Sequence, residues 1–165
     1  MLKKRATPVE GLANRINELL KSLACQVYVQ RNRRIWISAS LKHFKEALSK
    51  LIGEENFLYL STITAVEVQS EYEMIYHLTF AEALISVKVK VDQNNAELPT
   101  ITDLMPGATL YEREIHDMFG IKFNSHPDLS PLLLPDDWKK NVYPLRKWWT
   151  KTRIAKAMES HEDRD

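Results

Sequence analysis

Residues 111–120 read YEREIHDMFG, and a second unusual stretch, YPLRK, follows at residues 143–147. The spacing in the first stretch predicts a helix, because its apolar positions recur every three or four residues. The side chains on this stripe are Tyr111, Glu114, Ile115, Met118 and Phe119. Glu114 is the one charge in the stripe, so it is expected to be buried and either paired or protonated. Gly120 is expected to end the helix, because glycine adopts the left-handed conformation without steric cost.

The other side of the predicted helix is charged. Glu112 and His116 are four residues apart, as are Arg113 and Asp117, and this spacing allows both pairs to form ion pairs. The plain alternative is a surface helix whose charges are solvated.

Length and composition indicate one ordinary globular domain. The chain has 165 residues, 44% hydrophobic and 27% charged, with a net charge of +1 that gives no general attraction to nucleic acid. The longest apolar stretch, at 57–68, is too short to span a bilayer, and no apolar signal region follows the basic N-terminus. A lone cysteine, Cys25, fits a reducing cytoplasm.

The pattern before residue 95 predicts an α+β fold with a mostly antiparallel sheet and helices on one face. A helix over 8–23 is expected to begin after the cap Thr7, and a second helix over 41–52 lies between the cap Ser40 and the stop Gly53. Alternating apolar residues predict a hairpin over 25–38 and strands over about 57–68, 71–81 and 84–92.

An extended proline-rich strap is predicted to follow the signature helix. Residues 121–149 hold four prolines and three tryptophans without a recognisable regular element. Such apolar side chains must be buried, either on the chain's own sheet or on a partner protein. We therefore divide the chain into a core domain at 1–95, the signature helix and docking strap at 96–150, and a C-terminal tail at 151–165 that can form a helix.

The sequence offers little chemistry. It has no histidine or cysteine spacing typical of zinc, no second cysteine for an iron–sulfur cluster and no glycine-rich phosphate loop. One set remains for a stand-alone acid/base enzyme, namely Glu114, His116 and Asp117. Helical geometry argues against it, because Glu114 and His116 are about 200° apart around the axis.

The two opening stretches belong to a longer ordered pattern. Its positions are Glu112, Arg113, Glu114, Asp117, Met118, Phe119, Gly120, Phe123, His126, Pro127, Asp128, Leu134, Pro135, Asp136, Asp137, Trp138, Tyr143, Pro144, Leu145, Arg146 and Lys147. This pattern resembles the signature of the 30-kilodalton subunit family of respiratory complex I, also called the C subunit of NADH:quinone oxidoreductase.

The resemblance implies a non-catalytic subunit of the peripheral arm at the cytoplasmic face of the membrane, with no cofactor or metal of its own. The implied partners are a hydrogenase-like large subunit and a small subunit that carries an iron–sulfur cluster, with no nucleic acid and no direct membrane contact. Glu112, Arg113 and Glu114 would fix the helix, and residues 127–146 would form the docking strap. His116 and the run at 139–143 are more similar to archaeal relatives, so the equivalent subunit of a membrane-bound hydrogenase or a deazaflavin-cofactor dehydrogenase is the alternative.

Overall fold

The structure is a computed structural model that describes residues 8–54, 59–80 and 83–162. The chain divides into two compact units. The first comprises the described residues up to Thr64 together with Glu73–Val91, and the second comprises Ala65–Tyr72 and the described residues from Asp92 onward. The domain boundaries proposed from the sequence, at 95 and 150, stay predictions.

The described chain contains four helices and seven strands, which confirms the predicted α+β class. In chain order they are α1 Pro8–Leu19, β1 Gln26–Arg31, β2 Arg34–Ala39, α2 Phe44–Glu54, β3 Tyr59–Val68, β4 Glu71–Phe80, β5 Ala83–Asp92, β6 Glu97–Pro99, α3 Ala108–Phe119, β7 Lys122–Asn124 and α4 Lys151–Glu162. Two short 3-10 helices, Lys21–Leu23 and Gln93–Asn95, connect them.

Five strands form one sheet in the order β1-β2-β5-β4-β3. The predicted hairpin is confirmed, since β1 and β2 pair antiparallel across a turn at Asn32 and Arg33. Glu73 of β4 bonds to Lys88 of β5, and His77 bonds to Ser86. Residue numbers therefore rise along β4 while they fall along β5, as antiparallel strands require. The β2–β5 pair is parallel. The sheet is therefore mostly antiparallel, as predicted.

The first two helices differ in extent from the sequence prediction. α1 ends at Leu19, and the predicted last turn is the separate 3-10 helix, which Ala24 closes with a positive φ of 52°. α2 begins at Phe44, after a turn in which the amides of His43 and Phe44 both donate to the Ser40 carbonyl. Gly53 lies inside α2 and does not end it. Thr7, the predicted cap, lies outside the described residues, as do 57, 58 and 81 of the predicted strands.

The core of the first unit lies between its helices and the central strands. α1 contacts β1, β2 and α2. The apolar faces of both helices are buried, and so are the strand residues Ile35, Ile37, Val87 and Val89. Phe44 stacks on Tyr76 with ring centroids 5.6 Å apart.

The second unit contains a parallel ladder that the sequence did not predict. β6 pairs with β7 through Glu97 with Lys122, Leu98 with Phe123 and Pro99 with Asn124. The prediction that residues 121–149 lack a regular element is therefore wrong at 122–124. Three residues are too few for a periodic signal, and their partner strand lies more than twenty residues earlier in the chain.

Candidate functional site

The centre of the signature region is α3, whose position and end were predicted correctly. Ala108–Phe119 is helical, and Gly120 follows in the left-handed conformation with φ 68°. The Gly120 amide donates to the His116 carbonyl at 2.8 Å, which closes the helix.

The predicted apolar stripe of α3 is only partly its buried side, since Ile115 and Phe119 are buried and Tyr111 and Met118 are half-buried. Glu114 is exposed, whereas Glu112 is fully buried and Asp117 is 6% exposed. The buried positions are Ala108, Glu112, Ile115, Asp117 and Phe119. The prediction failed because it ranked helix faces by apolar content, and a carboxylate can be buried where backbone N–H donors replace its water.

The buried Glu112 carboxylate binds the turn before α3. Oε1 accepts a hydrogen bond from the Ile101 amide at 2.9 Å, and Oε2 accepts one from the Thr100 hydroxyl. Thr100 and Ile101 directly follow β6, so this one side chain joins the end of that strand to the helix. No sequence signal pointed to Thr100 or Ile101, because both are ordinary residues eleven or twelve positions away.

His126 completes the surroundings of Glu112. Its Nε2 lies 3.8 Å from Glu112 Oε2, and both side chains are fully buried. His126 Nδ1 accepts the Asp128 amide at 3.1 Å, so Nε2 carries the ring proton and donates to the Thr109 carbonyl at 3.3 Å. The histidine thus links residues 126–128 to the first turn of α3 as a structural hydrogen-bonding group.

Asp117 binds the strap through three consecutive amides. Its Oδ2 accepts hydrogen bonds from Leu132, Leu133 and Leu134 at 2.8, 2.9 and 3.4 Å. Successive N–H groups that converge on one oxygen form an anion-binding concavity, here occupied by the protein's own carboxylate. Asp117 is therefore the point at which the strap is attached to α3.

Arg113 makes a second attachment one turn earlier. Its Nε donates to the Ser130 carbonyl at 3.0 Å, and Nη2 donates to the Ser130 hydroxyl at 3.0 Å and the Pro131 carbonyl at 2.9 Å. Asp128 Oδ2 lies 3.9 Å from Nη1. Hydrogen bonds from Ser130, together with the nearby Arg113 charge, hold the pKa of Asp128 below its usual value.

The two ion pairs predicted within the helix are wrong. Arg113 and Asp117 both bind the strap instead of each other, and His116 bonds through Nδ1 to the Ile121 carbonyl at 2.9 Å. The pairs were predicted from helical spacing alone. Spacing contains no information about partners outside the helix, and here the strap supplies them. The structure also does not assemble Glu114, His116 and Asp117 into one catalytic set, since Glu114 is exposed and Asp117 is occupied by backbone amides.

The end of the strap returns to the C-terminus of α3. The Leu145 amide donates to the Met118 carbonyl at 3.1 Å, and Arg146 Nε donates to the Phe119 carbonyl at 2.6 Å. A cation at this position also complements the negative end of the helix dipole. The Arg146 guanidinium lies 4.3 Å from the Tyr143 ring centroid and 5.6 Å from that of Tyr72.

The remaining signature residues lie along the same path. Trp138 Nε1 donates to the Val142 carbonyl at 2.8 Å, which closes the turn that contains Lys139 to Asn141. Phe119 packs edge to face on Tyr72, with centroids 5.8 Å apart. Met118, Leu134 and Pro144 are half-buried, whereas Pro127, Pro135, Asp136, Asp137 and Leu145 are exposed.

A cavity of about 340 Å³ lies between the end of α3 and the strap. His116 and Asp117 line it on the helix side, and Trp138, Lys139 and Tyr143 line it on the strap side. Within the described residues no group of three or more His, Cys, Asp or Glu side chains has an arrangement that could hold a metal ion. No helix in that part of the chain is long and apolar enough to cross a membrane.

Two curated relatives resemble this chain in sequence. The NADH-quinone oxidoreductase C subunit of Moorella thermoacetica is 38% identical over 104 residues, which cover 61% of this chain and 69% of that protein. The NADH-quinone oxidoreductase C/D subunit of Nitrosospira multiformis is 37% identical over 124 residues, which cover 68% of this chain but 20% of that protein.

Two solved structures resemble it in fold. A chain of the membrane-bound sulfane sulfur reductase, an archaeal respiratory membrane complex, superposes with a TM-score of 0.79 and 26% identity, covering 96% of this chain and 94% of that one. The trypsin-resistant fragment of Nqo5 superposes with a TM-score of 0.59 and 27% identity, covering 70% and 98%.

The sequence model of one family spans most of the region described above. It matches residues 37–153, which run from the second half of β2 through the strap to the first turn of α4. The resemblance stated from the signature is thereby confirmed, and this chain belongs to the family of the 30 kDa subunit of respiratory-chain NADH dehydrogenase.

Proposed function

We propose that this chain is a non-catalytic scaffold subunit in the peripheral arm of a complex I-like respiratory oxidoreductase. Its partners are the hydrogenase-like large subunit and the small subunit that carries an iron–sulfur cluster. The observation that carries this proposal is that the polar groups of α3 fasten the strap, while large apolar side chains of the strap remain exposed.

The charged groups of α3 are committed to the chain's own backbone. Asp117 accepts amides from residues 132–134, and Arg113 donates to Ser130 and Pro131. Groups that are saturated by backbone partners are poorly suited to acid/base turnover, since each proton transfer would break those bonds. The charged residues of the signature thus serve to fix the conformation of the strap against α3.

That shape presents apolar side chains to solvent. Leu133 is 57% exposed, Leu145 56% and Trp148 64%. Large apolar residues on an ordered strap form a surface suited to a protein partner, and tryptophan is enriched among residues that dominate binding energy. The strap is therefore the docking element for the large subunit.

The fused relative supports the identity of this partner. The present chain matches only 20% of the Nitrosospira multiformis protein, whose name combines the letters C and D, so most of that polypeptide is a different part. We assign the remainder to the D subunit, which corresponds to the large subunit. Linking two parts in one chain raises their effective concentration, which supports neighbouring positions for them in the complex.

No cofactor is bound by this chain in the proposed complex, and the iron–sulfur clusters reside in partner subunits. Cluster ligation needs several thiolates, and Cys25 is the only cysteine. The protein lies on the cytoplasmic face and reaches the membrane only through the complex, with no nucleic-acid partner. The likeness to a chain of an archaeal respiratory membrane complex over 96% of this chain supports, as a second candidate, the equivalent subunit of an archaeal relative of complex I. The membrane-bound hydrogenase and the deazaflavin-cofactor dehydrogenase named from the sequence are relatives of this kind.

Co-purification tests the proposal. The tagged chain is co-expressed with the large and small subunits, and recovery of the large subunit is compared among the wild type, Leu133→Ser, Trp138→Ala and Arg146→Ala. We expect all three variants to recover less large subunit. Tyr28→Ser is the matched control, since Tyr28 is a 49% exposed aromatic residue on β1.

Thermal unfolding of each purified variant separates lost docking from lost folding. Recovery equal to wild type in all three strap variants would overturn the docking role of the strap. Substrate turnover, or one bound metal ion per purified chain, would overturn the scaffold role in favour of a stand-alone enzyme.

A further inference from the structure

The charges of this chain are distributed unevenly. Residues 139–156 contain seven of its 23 Lys and Arg residues and none of its 22 Asp and Glu residues. This segment joins the end of the strap to α4 and lies entirely within the second unit. A nearly neutral protein therefore has a strongly basic segment near its C-terminus, besides a second acid-free stretch at 19–45 that holds six Lys and Arg residues.

Three of the seven cations have partners within the chain. Arg146 binds the Phe119 carbonyl, Lys139 Nζ donates to the Ala157 carbonyl at 3.2 Å, and Arg153 donates to the Trp148 carbonyl at 2.9 Å. The last two bonds join α4 to residues 139 and 148 before it. They place the other cations on one continuous, ordered part of the second unit.

The remaining four cations are exposed lysines. They are Lys140, Lys147, Lys151 and Lys156, and within the described residues none of their ammonium groups has a carboxylate at ion-pair distance. Trp148 lies among them in sequence and is 64% exposed, with the Arg153 guanidinium 3.8 Å from its ring centroid. We call these four lysines and Trp148 the basic C-terminal surface.

α4 supports this surface in a fixed orientation. Ile154, Ala157 and Met158, spaced at i, i+3 and i+4, are half-buried, so the apolar side of the helix is already in use. Lys151 and Lys156 are both exposed, about 140° apart around the helix axis. A helix that binds in a lipid interface needs a free apolar face, which α4 does not offer.

We infer that the basic C-terminal surface docks an acidic protein segment of a partner subunit, with Trp148 packing against that segment between the ion pairs. This inference rests on the proposed function, because it requires that the chain belongs to a multi-subunit complex. Unpaired ammonium groups on ordered backbone favour carboxylates, and complementary charge across an interface speeds association and fixes its register. Placement of a carboxylate-rich segment here would neutralise the largest concentration of positive charge in the chain.

The test measures affinity of the full-length chain for the purified large and small subunits at 50, 150 and 500 mM NaCl. The variant K140Q/K147Q/K151Q/K156Q removes the four lysine charges of the basic C-terminal surface. The control K21Q/R31Q/K42Q/K122Q removes four exposed charges elsewhere in the chain, of which Lys21 and Lys122 lie within ion-pair distance of a carboxylate. We expect the first variant to bind about 10-fold to 30-fold more weakly at low salt and to lose most of its salt dependence. The control should bind like the wild type.

Zero-length carbodiimide cross-linking of the wild-type complex identifies the opposite side. We expect cross-links from these lysines to Asp or Glu residues clustered in one partner segment. Equal affinity and salt dependence of both quadruple variants would overturn the inference and leave the scaffold proposal standing. Failure of the wild type to bind any subunit would overturn both. Binding of the isolated chain to vesicles containing 30% phosphatidylglycerol, or to duplex DNA, that is abolished in the first variant would assign the surface to lipid or nucleic acid instead.

Discussion

The ring of Tyr143 occupies the space in which a side chain on Gly120 would stand. A Cβ atom built at Gly120 would lie 2.5 and 2.6 Å from ring carbons Cε2 and Cε1 of Tyr143, well inside contact distance. Gly120 also has φ 68°, a conformation that disfavours other residues. The first and last parts of the signature thus meet at position 120. Glycine is required there for two independent reasons, the close approach of the Tyr143 ring and the left-handed backbone conformation.

We expect Gly120→Ala to destabilise the fold by about 3 kcal/mol, which combines the left-handed conformation with the clash against Tyr143. Urea unfolding of the wild type and variant measures this free energy. In a Tyr143→Ala background the same change should cost only about 1–2 kcal/mol, because the ring is gone and the conformational cost remains. An equal cost in both backgrounds would show that the ring does not constrain position 120.

We expect Asp117→Asn to loosen the strap. An amide oxygen accepts more weakly than a carboxylate, and three amide donors currently converge on Asp117 Oδ2. The loss should be about 1–3 kcal/mol, with faster hydrogen exchange at Leu132 and Leu133. Glu114→Gln is the control, since Glu114 is an exposed carboxylate on the same helix. Unchanged exchange in Asp117→Asn would contradict the attachment.

We expect Arg146→Lys to destabilise the second unit by about 1–2 kcal/mol although it keeps the charge. The planar guanidinium of Arg146 donates a hydrogen bond to the Phe119 carbonyl and at the same time stacks on the Tyr143 ring. The ammonium group of a lysine cannot make both contacts. Arg153→Lys provides the comparison. Arg153 stacks on the exposed Trp148, so this substitution should lower the free energy of unfolding by less. Chemical denaturation of both variants gives the two values, and similar losses would argue against a special role for Arg146.

We expect the first unit to lose stability as the pH falls below the ordinary histidine pKa. Burial first, and then the Arg34 charge, lower the pKa of His77 from 6.5, and His77 Nδ1 lies 3.0 Å from Ser86 Oγ. Because the unfolded chain binds this proton more tightly, the contribution of His77 is present above pH 6.5 and is lost as the pH falls through its lower folded-state pKa.

Urea unfolding at pH 7.5 and 5.0 measures this effect, and His77→Gln should reduce the difference between the two conditions. An NMR titration of His77 reports the group directly. A midpoint at or above pH 6.5 would refute the predicted direction.

Local sequence was sufficient for most of the longer regular elements, though not for the short strands β6 and β7. The α3 helix with its Gly120 stop, the hairpin at Asn32 and Arg33, and the three strands after α2 follow from patterns of ten or so residues. Such patterns report hydrogen bonds and burial between near neighbours, which dominate helices and tight turns. The family signature was readable for the same reason, as its residue types stand at fixed spacings.

The same patterns were misleading about Glu114, because the exposed side of a helix depends on what packs against it. Glu112 is buried because Thr100 and Ile101 donate hydrogen bonds to its carboxylate. Asp117 is buried because the amides of residues 132–134 donate to its carboxylate. These donors are eleven to seventeen residues away, and their positions depend on the β6–β7 pair and the path of the strap.

The amino-acid sequence by itself determined the α3 helix, its stop, the five longer strands and the family of this protein, because these depend on local conformational preferences and on residue identity. Only the tertiary structure decided which carboxylates are buried and which backbone groups they bind. Burial of a charge is favourable only when donors from distant residues replace its water, and no local pattern records where those donors lie.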